Sequence, residues 1–219
     1  MSSRCDAATE LETLVLKYGA HQTRDDGMCI MEAVAWAAGE PHSDAPSCAC
    51  PVIASFARRL NDRISDDAMR TRIMRPLVML LLNTRASRAN MVKRAYIAAD
   101  FAAREAAPVA LEARGFKDWA AKCRELAPLT DRETAKAAEK VLRADAAASA
   151  YAYAAYADAY AAAAYAADAA AAADAYAAAY AADAAAADAD AADSANARTK
   201  TLAKCAVLVR KRLKVQDIR

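Results

Sequence analysis

His21, Cys29, Glu32, His42, Asp44, Cys48 and Cys50 all fall within HQTRDDGMCIMEAVAWAAGEPHSDAPSCACP, residues 21–51 of a 219-residue chain. Both histidines and three of the six cysteines therefore share one short stretch. Two chemistries want those residue types together. The first is nucleophilic: Cys29 stands near the start of a predicted helix, where the dipole lowers a thiol pKa. His42 or His21 as base and Asp44 as orienter would complete a thiol hydrolase. The second is coordination, with His21, Cys29, His42, Cys48 and Cys50 as the pool of ligands for a tetrahedral zinc ion, and Cys48 and Cys50 aiming two sulfurs at one point. Their spacing matches no established finger or knuckle. A structural reading competes with both and is the one we favour, with no cofactor. In it the cysteines are small buried hydrophobes, His42, Ser43 and Asp44 bond the backbone of a tight loop, and Glu32 pairs with an arginine.

The elements that must position this stretch read as helices, because strand patterns are almost absent. Leu11, Leu14, Val15 and Tyr18 share the face of a first helix over 6–18, stopped by Gly19. A second helix runs over 28–38 and ends at Gly39. Pro41 and Pro46 exclude regular structure after it. Pro51 opens a third helix, with Val52, Ile53, Phe56, Leu60 and Ile64 inward, and Asp66 caps a fourth that Pro76 must kink or split. The run 77–82, LVMLLL, is apolar all round and is expected to be the most deeply buried segment. Ser87 caps a helix that Pro108 should stop, and Phe116, Trp119, Cys123 and Leu126 share the face of another. Thr130 and Glu133 form an expected capping box.

Residues 144–197 hold 36 Ala, 8 Asp and 7 Tyr with no Lys or Arg, a composition that predicts helix. Its tyrosines form two stripes: Tyr151, Tyr165, Tyr176 and Tyr180 on one side, Tyr153, Tyr156 and Tyr160 on the other. The segment is expected to be one long helix or a once-broken one that packs on the rest of the chain or self-associates. Basic residues concentrate elsewhere, with ten Lys or Arg against three Asp over 58–94, and eight against one over 198–219. Basic blocks of this kind admit nucleic acid, yet aromatics are not interleaved with them as single-strand binding requires. Nucleic acid therefore ranks below a protein or small-ligand partner. No apolar run is long enough to span a bilayer and residues 1–10 carry no signal-peptide pattern, so no membrane partner and a cytoplasmic location are expected, with the cysteines as thiols.

Two runs, GMCIMEAVA (27–35) and GEPHSDAPSCACP (39–51), carry a resemblance. The chain resembles a family of uncharacterised proteins from actinobacteria and their phages that shares Gly-x-Cys-x-x-Glu-Ala-Val-Ala and Gly-Glu-Pro-His-Ser-Asp-x-Pro-x-Cys-x-x-Pro. The likeness continues more loosely through 75–87 and 98–116. It implies a small phage-type or bacterial accessory protein and no particular activity or catalytic residue.

The expected architecture is all-α: a compact multi-helix domain over 5–128, then 129–219 with the Ala/Tyr/Asp-rich helix and a short basic C-terminal helix. The expected function is non-enzymatic binding that docks or sequesters a host protein or small ligand. The alternatives are a hydrolase or zinc protein centred on 21–51, and an oligomeric scaffold built through the alanine-tyrosine tract.

Overall fold

The computed structural model describes residues 10–113 and 115–146, and these are all-α. The alanine-rich segment from 147 onward, its tyrosine stripes and the basic C-terminal helix lie outside the described residues. In chain order the helices are α1 (Ile30–Ala38), α2 (Pro51–Arg63), α3 (Asp67–Met74), α4 (Val78–Leu81), α5 (Arg88–Phe101), α6 (Ala107–Ala113), α7 (Lys117–Glu125) and α8 (Arg132–Ala146). None of the described helices is long and apolar enough to cross a membrane.

Local chemistry sets most of the helix ends. Gly39 is left-handed (φ 72°) and closes α1 with its amide on the Ala35 and Trp36 carbonyls. Pro51 sits in the first turn of α2, where its missing amide costs nothing. The Asp66 carboxylate accepts from Met69 N (2.7 Å) at the start of α3, and the Ser87 hydroxyl accepts from Asn90 N (3.4 Å) at the start of α5. Pro76 falls in a short 3-10 turn, Arg75–Leu77, that separates α3 from α4.

One core runs through the described residues. Val52, Ile53, Phe56 and Leu60 of α2 meet Ile30, Met31 and Val34 of α1, Leu81 of α4, Phe101 of α5 and Leu111 of α6. The same core continues into Leu129, Ala135 and Ala138, past residue 128. Around α5 and α6 the buried residues are largely alanines, among them Ala95, Ala98, Ala99, Ala102, Ala103, Ala106 and Ala107. Methyl side chains let backbones approach closely, and dispersion supplies most of the gain there.

Four sequence expectations are corrected. The helix expected over 6–18 is helical over 10–13 within the described part, and residues 14–17 form a strap without regular secondary structure. Leu16 turns inward, while Val15 and Tyr18 stay 49 % and 66 % exposed. Partners from elsewhere in the chain take the strap's backbone groups: Leu16 N donates to Thr71 Oγ1 (2.9 Å), and Lys17 N to the Met28 carbonyl (2.9 Å). The run 77–82 is not buried all round, because Met79 is 56 % exposed. Pro108 does not stop its helix. A π turn, Ala102–Ala106, precedes it, with the Ala107 amide on the Ala102 carbonyl, and this widened turn is where the proline is accommodated. The box at α8 lies one residue later than expected: Thr134 N donates to Asp131 Oδ1 (2.9 Å) and Asp131 N to Thr134 Oγ1 (3.1 Å).

Candidate functional site

Cys29 is the residue just before α1, so Glu32 falls three positions into the helix with its carboxylate directed back at the helix start. It accepts from Cys29 N (2.7 Å), which would otherwise be an orphan donor. The strap and the turn Arg24–Asp26 then carry His21 to the same carboxylate. His21 N donates at 2.6 Å and His21 Nδ1 lies 2.8 Å from Glu32 Oε2. Gly27 makes this approach feasible: it adopts φ 128°, and a Cβ there would stand 3.1 Å from His21 Nε2 and 3.0 Å from Lys17 Cγ.

His42 arrives from the loop after α1. Its Nε2 lies 3.1 Å from the His21 carbonyl and 3.6 Å from Glu32 Oε1. Glu32, only 1 % exposed, is thus the hub of His21, Cys29 and His42. Burial alone would raise its carboxyl pKa. The backbone amides of His21 and Cys29, with the His21 ring, outweigh burial and hold it below the ordinary carboxylate range.

A second carboxylate shapes the rest of the loop. Glu40 accepts from Ser47 N (2.6 Å), Ser47 Oγ (2.9 Å) and Cys48 N (2.8 Å), bending 40–48 back on itself. Desolvation opposes ionisation there too, yet the Ser47 and Cys48 donors keep this carboxyl below its usual range. On the far side of the loop, Arg85 N donates to the Cys48 carbonyl (2.9 Å) and Cys50 N to Thr84 Oγ1 (3.0 Å).

Measured against these positions, the expected catalytic set divides. Cys29 and His42 both reach Glu32. Asp44 instead turns to α2, where Arg58 donates to its carbonyl (2.6 Å) and stands 3.8 Å from its carboxylate. Cys29 is also not the activated thiol that a helix start suggests. Burial, joined by the Glu32 charge, pushes it up to about 12 against the amides that would lower it. At neutral pH it is a thiol and not a thiolate. Of the expected metal ligands, His21 and His42 meet at Glu32, whereas Cys48 and Cys50 are bonded through their backbones toward 84–85. Burial raises the Cys48 thiol as well. Among the described residues no group of three or more His, Cys, Asp or Glu is arranged to hold a metal ion.

Other residues needed for this arrangement carry no sequence signature. Asn61, fully buried on α2, donates from Nδ2 to the Lys17 carbonyl (2.9 Å) and accepts from Ile30 N (3.2 Å), tying strap, α1 and α2 together. Arg70 is 0 % exposed. Its Nε donates to the Asn61 carbonyl (2.8 Å), and its terminal nitrogens reach Asp67 and the Ile64 carbonyl. An asparagine and an arginine on amphipathic helices read as solvent-facing until their helices are placed, so only the periodicity around them was legible. No protein-family model matches the chain, and neither a curated protein nor a solved structure shows significant likeness to it.

Proposed function

We propose that this is a non-enzymatic binding protein, of phage-type or bacterial accessory character, whose 21–51 segment is a pre-shaped platform for a host protein or small ligand. The observation that carries the reading is the state of Glu32. Its carboxylate is buried and already bonded by His21 N, His21 Nδ1 and Cys29 N, so the residues richest in chemistry serve to hold a loop in shape. A loop ordered before binding loses less entropy on docking. The Cys29 thiol, pushed up to about 12, weighs against the hydrolase alternative. The resemblance of 27–35 and 39–51 to actinobacterial and phage proteins favours an accessory role.

The test compares the wild-type chain with Cys29→Ser and His42→Ala on two readouts: turnover of a panel of ester and amide substrates, and retention of a specific species from an actinobacterial lysate. The expected result is no turnover, and equal retention by wild type and Cys29→Ser. Hydrolysis that vanishes in both variants, with helix content unchanged, would replace this reading by the enzymatic one.

A further inference from the structure

The strap 14–17 runs against α3 and leaves an open groove of about 710 Å³. Val15, Ala68 and Pro76 supply its apolar lining, and Arg72 and Arg75 its cations. Asp66 and Asp67 also line it, but both are engaged: Asp66 caps Met69 N, and Asp67 pairs with Lys17 at 2.8 Å and with Arg70. The guanidiniums are not balanced in the same way. Arg75 donates to the Leu14 carbonyl (3.3 Å), and Arg72 has no hydrogen-bond or ion-pair partner among the described residues. The groove therefore offers carbon flanked by two positive charges with no carboxylate of their own.

The complementary chemistry is in the same chain. Residues 147–197 hold seven Asp and seven Tyr with no Lys or Arg, and they begin directly after α8. A segment of that length can reach any face of a body of this size. We propose that the groove takes an Asp- and Tyr-bearing piece of this chain's own 147–197 segment, with carboxylates on Arg72 and Arg75 and tyrosine or alanine carbon on Val15, Ala68 and Pro76. This surface is separate from the 21–51 platform, and the proposal stands or falls independently of it.

The test uses the full-length chain with Val15→p-benzoylphenylalanine, an exposed position, as an equal mixture of ¹⁴N- and ¹⁵N-labelled protein. After irradiation, trypsin releases 144–198 as one fragment, since no Lys or Arg interrupts it. The expected product joins Val15 to that fragment with both parts carrying the same isotope. Its yield should fall about two- to fivefold in Arg72→Glu and in 1 M salt, the scale of an exposed ion pair. The salt series reads the same interaction without a substitution. Mixed-isotope products would overturn the proposal in favour of a second copy as occupant. Products elsewhere in the chain, or a yield indifferent to both Arg72→Glu and salt, would overturn it outright.

Discussion

Between Leu14 and Arg70 the chain is held in place by polar side chains that reach across it to backbone groups; between Ala95 and Ala138 it is held by methyl groups. In the first region Glu32, Glu40, Asn61 and Arg70 each bond to main-chain groups distant from their own turn of helix. In the second, Ala98, Ala99, Ala102, Ala103 and Ala106 are all buried, and the chain passes Pro108 through a π turn. The difference teaches what each kind of sequence can support. Irregular backbone leaves amides and carbonyls that must find partners, and side-chain carboxylates and amides supply them. Continuous helix bonds its own backbone, so small residues suffice and close approach becomes the stabilising factor.

The contrast predicts how each region breaks. The largest effect should come from Glu32→Ala, which leaves two amides and an imidazole without their acceptor. Urea unfolding should show a loss of about 3 kcal/mol or more, the scale of leaving two or three buried donors without an acceptor. A change within experimental error would mean that the hub is ornamental. Next comes the alanine-packed region, which should tolerate loss of polar groups but not added volume. Ala103→Leu should cost about 2 kcal/mol by overpacking, whereas the same substitution at exposed Ala121 should be nearly neutral by thermal unfolding.

Acid should act mainly on the polar region. Glu32 has its carboxyl pKa depressed in the folded state, so its contribution is present above the unfolded value and is lost as pH falls through the folded one. The acid limb of stability below the ordinary carboxylate range should therefore flatten in Glu32→Gln, as read by denaturation midpoints across pH. Glu40→Gln probes the outer half of the loop. It should speed hydrogen exchange at the Ser47 and Cys48 amides while shifting the unfolding midpoint far less than Glu32→Ala, since Glu40 is only partly buried. The smallest effect is on thiol reactivity. Under native conditions Cys48, partly exposed, should react with a thiol reagent before the buried Cys29, Cys50 and Cys123, with mapping by mass spectrometry. Early labelling of Cys29 would contradict its burial.

Much of the architecture was legible in the residues. Gly39, Pro51, Asp66 and Ser87 act through local backbone chemistry, and each marks a helix end where expected. Around the candidate site the reading was partial. The stretch 21–51 does bring His21, Cys29 and His42 to one place, but the residue that gathers them is Glu32, expected to pair with an arginine. Asn61 and Arg70 were not distinguishable from surface polar residues, because what sets them apart is their burial, which no periodicity encodes, and Glu40 was not because its partners Ser47 and Cys48 come to it only when the loop folds back.

By itself the sequence determined helix as the class of structure, most helix boundaries and the inward faces of α2 and α7. These follow from 3.6-residue periodicity and from caps acting within a few residues. Only tertiary structure decided that 14–17 is a strap and not a helix, that Pro108 is passed rather than obeyed, and that the Cys29 thiol is pushed up instead of down. For the strap, partners far away in sequence outweigh the local helix preference; for Cys29, burial outweighs the amides at the helix start; for Pro108, a widened turn just before it absorbs a penalty of about 3 kcal/mol.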